Sequence, residues 1–310
     1  MKAIIPVAGL GTRMLPATKA TAKEMLTVLD KPLIEHVVHE AINAGIRDIV
    51  LVTQSRKSSI EQHFETDHSL EEHLLSHGKI DLITQVQSIC PDYVNIITVR
   101  QDEPLGLGHA ILCAKPVVGN EDFVVLLPDV LIKESHYQNN LSHMLLNFLT
   151  SGVSQILVQA IDIKNVHQYG IADIGGKPLT VGGSAQALNF IEKPKMSETP
   201  SNLAIVGRYV FSKNIWPMLE HLTPGAGDEI QLTDAVEKLL LNERVDVFHL
   251  DGDSFDCGSK FGLLKANIAY ALDHDEYRDQ LVDYIESTRT KHAFNSDTVD
   301  VNAPTLRSVN

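Results

Sequence analysis

The stretch Pro6-Val7-Ala8-Gly9-Leu10-Gly11-Thr12-Arg13-Met14-Leu15-Pro16-Ala17-Thr18-Lys19-Ala20-Thr21-Ala22-Lys23-Glu24-Met25 decides how this chain is read. It follows Ala3-Ile4-Ile5, an apolar run that predicts a buried first strand. Gly9 and Gly11 then open a turn in which backbone N–H groups can lie against phosphate oxygens with no side chain in the way. Arg13 and Lys23 follow at staggered reach. Strand, glycine turn and two cations together make a cradle for a polyphosphate. Taken alone, Gly-x-Gly is weak. The dinucleotide fingerprint Gly-x-Gly-x-x-Gly fails at Met14, and the phosphate-loop pattern Gly-x-x-x-x-Gly-Lys-Ser/Thr is absent. The plain alternative is that Arg13 and Lys23 are surface charges flanking an ordinary turn.

Downstream, Leu33, Ile34, Val37, Val38, Ala41 and Ile42 recur at helical spacing, with Pro32 suited to the first turn and Gly45 to the position past the end. Residues 48–53 read as a second buried strand, and strand, helix, strand in this order is a βαβ unit, which implies a parallel sheet. Residues 94–100 and 123–127 read as further strands. The latter is unbroken in its apolar character, as central parallel strands are, and it ends in Pro128-Asp129. Later strands are predicted at 155–160, 202–211 and 245–250, with helices at about 139–150, 225–241, 259–272 and 275–288. Residues 57–90 look helical but polar. Within 161–200, Gly170, Gly175, Gly176, Gly182 and Gly183 break up short β runs, which predicts an antiparallel insertion able to fold over a substrate. The fold class is therefore α/β, a Rossmann-like, mainly parallel sheet with helices on both faces. It spans 1–288, and a polar, loose tail follows at 289–310.

The 310 residues suffice for a substantial core, and 44% apolar with 21% charged residues is ordinary for a soluble enzyme. Forty Asp and Glu against 26 Lys and Arg give a net charge of −14, which argues against nucleic acid or an anionic membrane as the main partner. An acidic chain that binds an anion must concentrate its cations locally. Cys90, Cys113 and Cys257 are odd in number and far apart, without metal-ligand spacing, so reduced thiols and a cytoplasmic location are expected. No apolar run approaches a membrane span, and the N-terminus lacks the regions of a secretory signal.

Two carboxylates and one adjacent pair carry the remaining chemistry. Asp129 lies just past a central strand, where open α/β sheets bind ligands, and Asp256 also follows a strand after a short turn. Pointing into one crevice, they would hold Mg²⁺ and leave its other positions to phosphates and water. For either alone, a cap or a turn is the commoner explanation. Glu192-Lys193-Pro194 can splay an acid and a cation toward one ligand, Glu192 taking sugar hydroxyls and Lys193 a phosphate, or can be a surface ion pair. His63, His68, His73 and His77 do not share one helical face, so a solvated surface is expected rather than a metal site.

The cradle, Leu127-Pro128-Asp129, Phe190-Ile191-Glu192-Lys193-Pro194 and Asp256-Cys257-Gly258 resemble the sugar-nucleotide pyrophosphorylases. So do Gln87–Pro91, Asn202–Tyr209 and Gly225–Asp234, and the likeness runs in order from about residue 2 to about residue 288. The resemblance implies nucleotidyl transfer: a phosphate oxygen of glucose 1-phosphate attacks the α-phosphorus of UTP, expelling pyrophosphate and giving UDP-glucose, with Mg²⁺ as cofactor. It implies that Ala8, Gly9, Gly11, Gln101 and Gly106 bind the nucleotide. Arg13, Lys23 and Lys193 would act on the phosphates, Gly170, Glu192 and Gly207 would bind the sugar, and Asp129 and Asp256 would hold the metal. It also implies a homo-oligomer, dimer or tetramer. The chain departs from the family at Thr21-Ala22, where Ile-Pro is usual, and at Leu105, where lysine is common. These positions bear on the loop carrying Lys23 and on contacts to the base. Rival readings are transfer from dTTP, a catalytically silent nucleotide-sugar sensor, and a nicotinamide dehydrogenase, against which Met14 counts.

Overall fold

A computed structural model describes residues 1–54, 57–135, 139–225 and 229–296, with side chains through residue 289. Two sequence expectations reach beyond these residues: positions 226–228 of the predicted helix opening at 225, and the tail from 297 onward.

The apolar run at the start forms β1 (Lys2–Pro6), in which Ala3, Ile4 and Ile5 are fully buried. After the cradle, a short hairpin of β2 (Thr27–Val28) and β3 (Lys31–Pro32) leads into α1 (Leu33–Asn43). The helical spacing read there holds: Leu33, Ile34, Val37, Val38 and Ala41 are buried, and Pro32 sits at the helix N-cap. Then comes β4 (Asp48–Thr53), parallel to β1. The polar stretch is three helices, α2 (Ser58–Phe64), α3 (His68–Ser76) and α4 (Ile80–Ser88), before β5 (Asn95–Arg100). His63 departs from the expected solvated surface, because its Nε2 lies 3.0 Å from Glu35 of α1.

Next come α5 (Leu107–Cys113), α6 (Lys115–Val118), β6 (Phe123–Leu126), β7 (Val130–Glu134), α7 (Asn140–Ser151) and β8 (Ser154–Ala160). The glycine-broken stretch supplies β9 (Gly170–Asp173), β10 (Ser184–Gln186) and β11 (Asn189–Glu192), followed by β12 (Leu203–Phe211). The chain continues with α8 (Ile215–Glu220), α9 (Leu232–Leu240), β13 (Val245–His249), β14 (Gly252–Asp256), α10 (Lys260–Asp273) and α11 (Arg278–Ser296). The last helix thus continues past the boundary expected at 288.

The main sheet runs β10-β13-β8-β12-β6-β1-β4-β5. Along this path β5, β4, β1, β6, β8 and β13 point one way and β12 and β10 oppose them, so the sheet is mainly parallel as predicted. Alternation along each strand builds two cores. Ala3, Ile5, Ile49 and Leu51 face α1 and α7, while Ile4, Val50 and Val52 face α5, α8 and α9. Helices therefore cover both faces. The insertion is antiparallel but not detached: β9 pairs with β11 and also with β12, and β10 extends the sheet beyond β13.

The pairing that shapes the site escapes the sequence reading. β7 and β14 form a separate antiparallel ribbon in which Asp256 is opposite Val130. Its physical consequence is local: the residue after Asp256 donates its N–H to the carbonyl of Asp129 at 2.8 Å. Two acids remote in sequence become neighbours through backbone hydrogen bonds.

Candidate active site

The glycine turn is held from behind. Gln54, just past β4, donates its amide N–H to the carbonyl of Ala8, and Lys57 donates to the carbonyl of Val7 at 2.5 Å. Lys57 also reaches the buried carboxylate of Glu24 at 2.7 Å. Burial pushes the Glu24 carboxyl up and the Lys57 ammonium down, each partly offset by the other. The pair joins the turn to the residue beside Lys23.

Lys23 Nζ lies 2.7 Å from Asp129 Oδ2, Arg13 Nη2 lies 3.7 Å from the same oxygen, and Arg13 Nη1 lies 3.2 Å from Asp256 Oδ2. Burial alone would raise the Asp129 carboxyl, yet Lys23 and Arg13 outweigh it and hold the group below the usual carboxylate range. Burial alone would likewise lower Lys23, but Asp129 and Glu24 keep its ammonium above the ordinary value. Both are charged at neutral pH. Cys257, next to Asp256 in the chain and buried in the core, is the opposite case: burial, then Asp256 and Asp129, push its thiol up to about 12. A neutral buried thiol is a poor nucleophile.

The donor set suits Mg²⁺. Two hard carboxylate groups share one locus with neutralising cations, and soft ligands take no part. Gly258 keeps the space open. A Cβ there would lie 2.8 Å from Asp129 Oδ2 and 3.0 Å from Asp256 Oδ1, and would overlap the Arg13 guanidinium. Gly258→Ala is therefore expected to cut activity at least about tenfold, by displacing the carboxylates rather than by unfolding the protein. Steady-state rates and a thermal melt check this; a fully active variant would show that the carboxylate geometry is not needed.

Two cavities adjoin at this point. One, of about 380 Å³, is lined by Ala8, Gly9, Gly11, Lys23, Gln101 and Gly106. The other, of about 560 Å³, is lined by Arg13, Gly170, Glu192, Lys193, Gly207 and Asp256. Asp129 lines both. The residues that the resemblance gave to nucleotide and sugar thus fall on separate sides of one carboxylate. Apolar Leu107 and Leu127 also border both spaces. At Gly106 φ is +100°, and a Cβ would lie 2.9 Å from Ile230 N, so only glycine lets the turn pack there.

Glu192 ends β11, and the turn before Pro194 does bring its neighbour to the same side, with Lys193 Nζ 3.2 Å from Glu192 Oε1. Lys193 has φ +46°, a left-handed conformation that costs on the order of 1–3 kcal/mol for a non-glycine residue. Its N–H is fixed to the carbonyl of Tyr169 at 3.0 Å. The other oxygen of Glu192 accepts from Thr233 at 2.7 Å.

Sequence reasoning missed Arg208, Tyr169, Thr233 and the Glu24–Lys57 pair. Arg208 had a signal, being the one charged residue within the apolar strand Leu203–Phe211. Its guanidinium is fully buried and donates to both oxygens of Glu40 at 2.8 and 2.7 Å. It also donates to the carbonyls of Leu127, Val130 and Gly207 at 3.1, 2.7 and 3.1 Å. The first two of these carbonyls flank Asp129. Tyr169 and Thr233 carried no such mark.

A mainly parallel α/β sheet with a glycine turn, cations and paired acids at the strand ends is the architecture of a nucleotide-handling transferase, and the chain belongs to the nucleotidyl transferase family, whose model matches residues 2–272. It is 51% identical over 290 residues to the UTP–glucose-1-phosphate uridylyltransferase of Haemophilus influenzae, covering 93% of this chain and 98% of that one. It is similar to the solved UTP-bound UGPase from Acinetobacter baumannii, with a TM-score of 0.86, 47% identity, and coverage of 92% of this chain and 98% of that one. A UDP-glucose pyrophosphorylase complexed with UDP-glucose matches with a TM-score of 0.79 and 34% identity, over 88% of this chain and 99% of the other. Among the described residues, no helix is long and apolar enough to cross a membrane.

Proposed function

We propose that this chain joins UTP and glucose 1-phosphate into UDP-glucose and pyrophosphate. The observation that carries the reading is the meeting of two cavities at Asp129, one beside the glycine turn and one beside Glu192 and Lys193. Ala8, Gly9, Gly11, Gln101 and Gly106 hold the uridine and its phosphates in the first. Gly170, Glu192 and Gly207 hold the glucose in the second. A phosphate oxygen of glucose 1-phosphate forms a bond to the α-phosphorus of UTP, the α–β bridging bond breaks, and pyrophosphate leaves with the electron pair. The attacking oxygen is already anionic, so no general base is needed. Arg13 and Lys23 stabilise charge on the triphosphate, and Lys193 orients the sugar phosphate. Bound by Asp129 and Asp256, Mg²⁺ would supply further charge neutralisation on the phosphates.

Pyrophosphate release from UTP and glucose 1-phosphate, with and without Mg²⁺, tests the reading directly. Release that persists after chelation sinks the metal assignment, and absence of any release sinks the function. Running dTTP beside UTP decides which nucleotide is preferred. Lys193→Ala is expected to lower turnover about a hundredfold in a folded protein; near-normal turnover would remove Lys193 from the chemistry. The reading extends to a homo-oligomer, because Phe261, Leu264 and Tyr284 leave large apolar surface exposed on α10 and α11. Light scattering at micromolar concentration distinguishes a dimer or tetramer from a monomer.

A further inference from the structure

We infer that His109, which lies behind the nucleotide cavity and is not one of its lining residues, is a specificity-positioning residue that makes the site refuse cytosine. The inference rests on the proposed uridylyl transfer and on the placement of Gln101 in the base cavity.

Gln101 is 7% exposed, and its own backbone N–H is fixed to the carbonyl of Thr53 at 2.8 Å. Its side-chain Nε2 has two neighbours, the carbonyl of Gly106 at 3.2 Å and Nδ1 of His109 at 2.9 Å. A carbonyl oxygen can only accept, so the amide nitrogen must be the group that faces it. One N–H of Nε2 goes to Gly106, and the other is left for His109. Nδ1 of His109 is then the acceptor, which puts the imidazole proton on Nε2, facing Cys113 Sγ at 3.9 Å. Every polar atom of the chain from the amide to the thiol has a consistent role. With both N–H bonds turned inward, Oε1 is the atom the amide has left to offer a base, and among the described residues no donor meets it.

An outward-facing amide oxygen reads one feature of a pyrimidine. It accepts from the N3–H of uracil or thymine, and it sets lone pair against lone pair at N3 of cytosine. A site built around a hydrogen bond discriminates strongly against a ligand that cannot make it. Freed from one of its two inward partners, the amide can turn and offer N–H instead, which cytosine accepts. His109 therefore acts through Gln101, on which base is admitted rather than on the phosphoryl chemistry.

The test compares the full-length protein with His109→Leu, His109→Phe and His109→Asn. The Asn oxygen stands near where Nδ1 was and restores an acceptor, whereas Leu and Phe fill space without one. For each, kcat and KM are measured with UTP and with CTP, glucose 1-phosphate and Mg²⁺. In both acceptor-less variants KM for UTP is expected to rise about tenfold with kcat little changed, and the UTP-to-CTP ratio of kcat/KM to fall about tenfold or more. His109→Asn should recover most of that ratio. An unchanged ratio in either acceptor-less variant that folds, judged by circular dichroism, overturns the inference. So does a ratio in His109→Asn as low as in His109→Phe, which would mean that only packing was lost. Failure of the wild-type chain to use UTP at all is a different result and defeats the functional reading itself.

Discussion

Asp129→Ala is expected to lower UDP-glucose formation on the order of a thousandfold, the upper end of what one preorganised electrostatic contact supplies. The size of the effect follows from position. Asp129 is the carboxylate common to both cavities, touches Lys23 and Arg13, and has its carbonyl tied to the N–H of Cys257. Its removal takes away one of the two acids that would hold Mg²⁺ and leaves two cations without their shared counter-charge. Asp129→Asn keeps the shape and removes the charge, so it should fall nearly as far. If Asn retained more than a tenth of wild-type turnover, the carboxylate would be a structural partner of Lys23 and nothing more. Circular dichroism and Mg²⁺ titration of the residual activity separate lost chemistry from lost fold.

Glu40→Ala should produce the largest loss of stability, about 3–5 kcal/mol, because it strands a fully buried guanidinium. All five N–H bonds of Arg208 are used, two on Glu40 and three on backbone carbonyls. The Glu40 carboxylate comes from α1, and Arg208 from β12, so the pair fastens a helix to the sheet directly behind Asp129. Replacing both residues, as Glu40→Leu with Arg208→Met, should cost clearly less than the sum of the single changes, since the stranded charge is gone. Urea unfolding of the four proteins measures this. A Glu40→Ala variant within about 1 kcal/mol of wild type would mean that water or another acid replaces the lost partner.

What the sequence announced was the local part of this structure. Phe123–Leu126 is a buried strand because nothing in it is polar, and Asp129 follows just past its carboxyl end. The α1 helix was written in its spacing, its leading Pro32 and its trailing Gly45. The glycine turn and its two cations could be named from composition, although not their contacts. The meeting of Asp129 and Asp256 could not. It depends on Gly252–Asp256 pairing with Val130–Glu134, and both segments mix polar with apolar residues and are only partly buried. Neither has the clean alternation or the apolar run that marks a strand. Which sheet edge each one joins is a non-local choice that one-dimensional periodicity does not carry. The same limit hid Tyr169, whose backbone carbonyl accepts the N–H of Lys193, and Thr233, whose hydroxyl donates to the carboxylate of Glu192. The insertion was recognised by its glycines, yet its strands joined the main sheet because β12 and β13 had free edges to offer.

The two-stranded ribbon also says where this enzyme will tolerate changes in chain length. Successive side chains on a strand point to opposite faces, so deleting one residue between Gly252 and Phe255 would turn Asp256 away from Asp129 while leaving the composition almost untouched. Adding residues in the turn between α10 and α11 shifts no register in the ribbon. Acceptable insertions and deletions should therefore avoid the ribbon, and a library of random one-residue deletions scored for activity would show a sharp gap there.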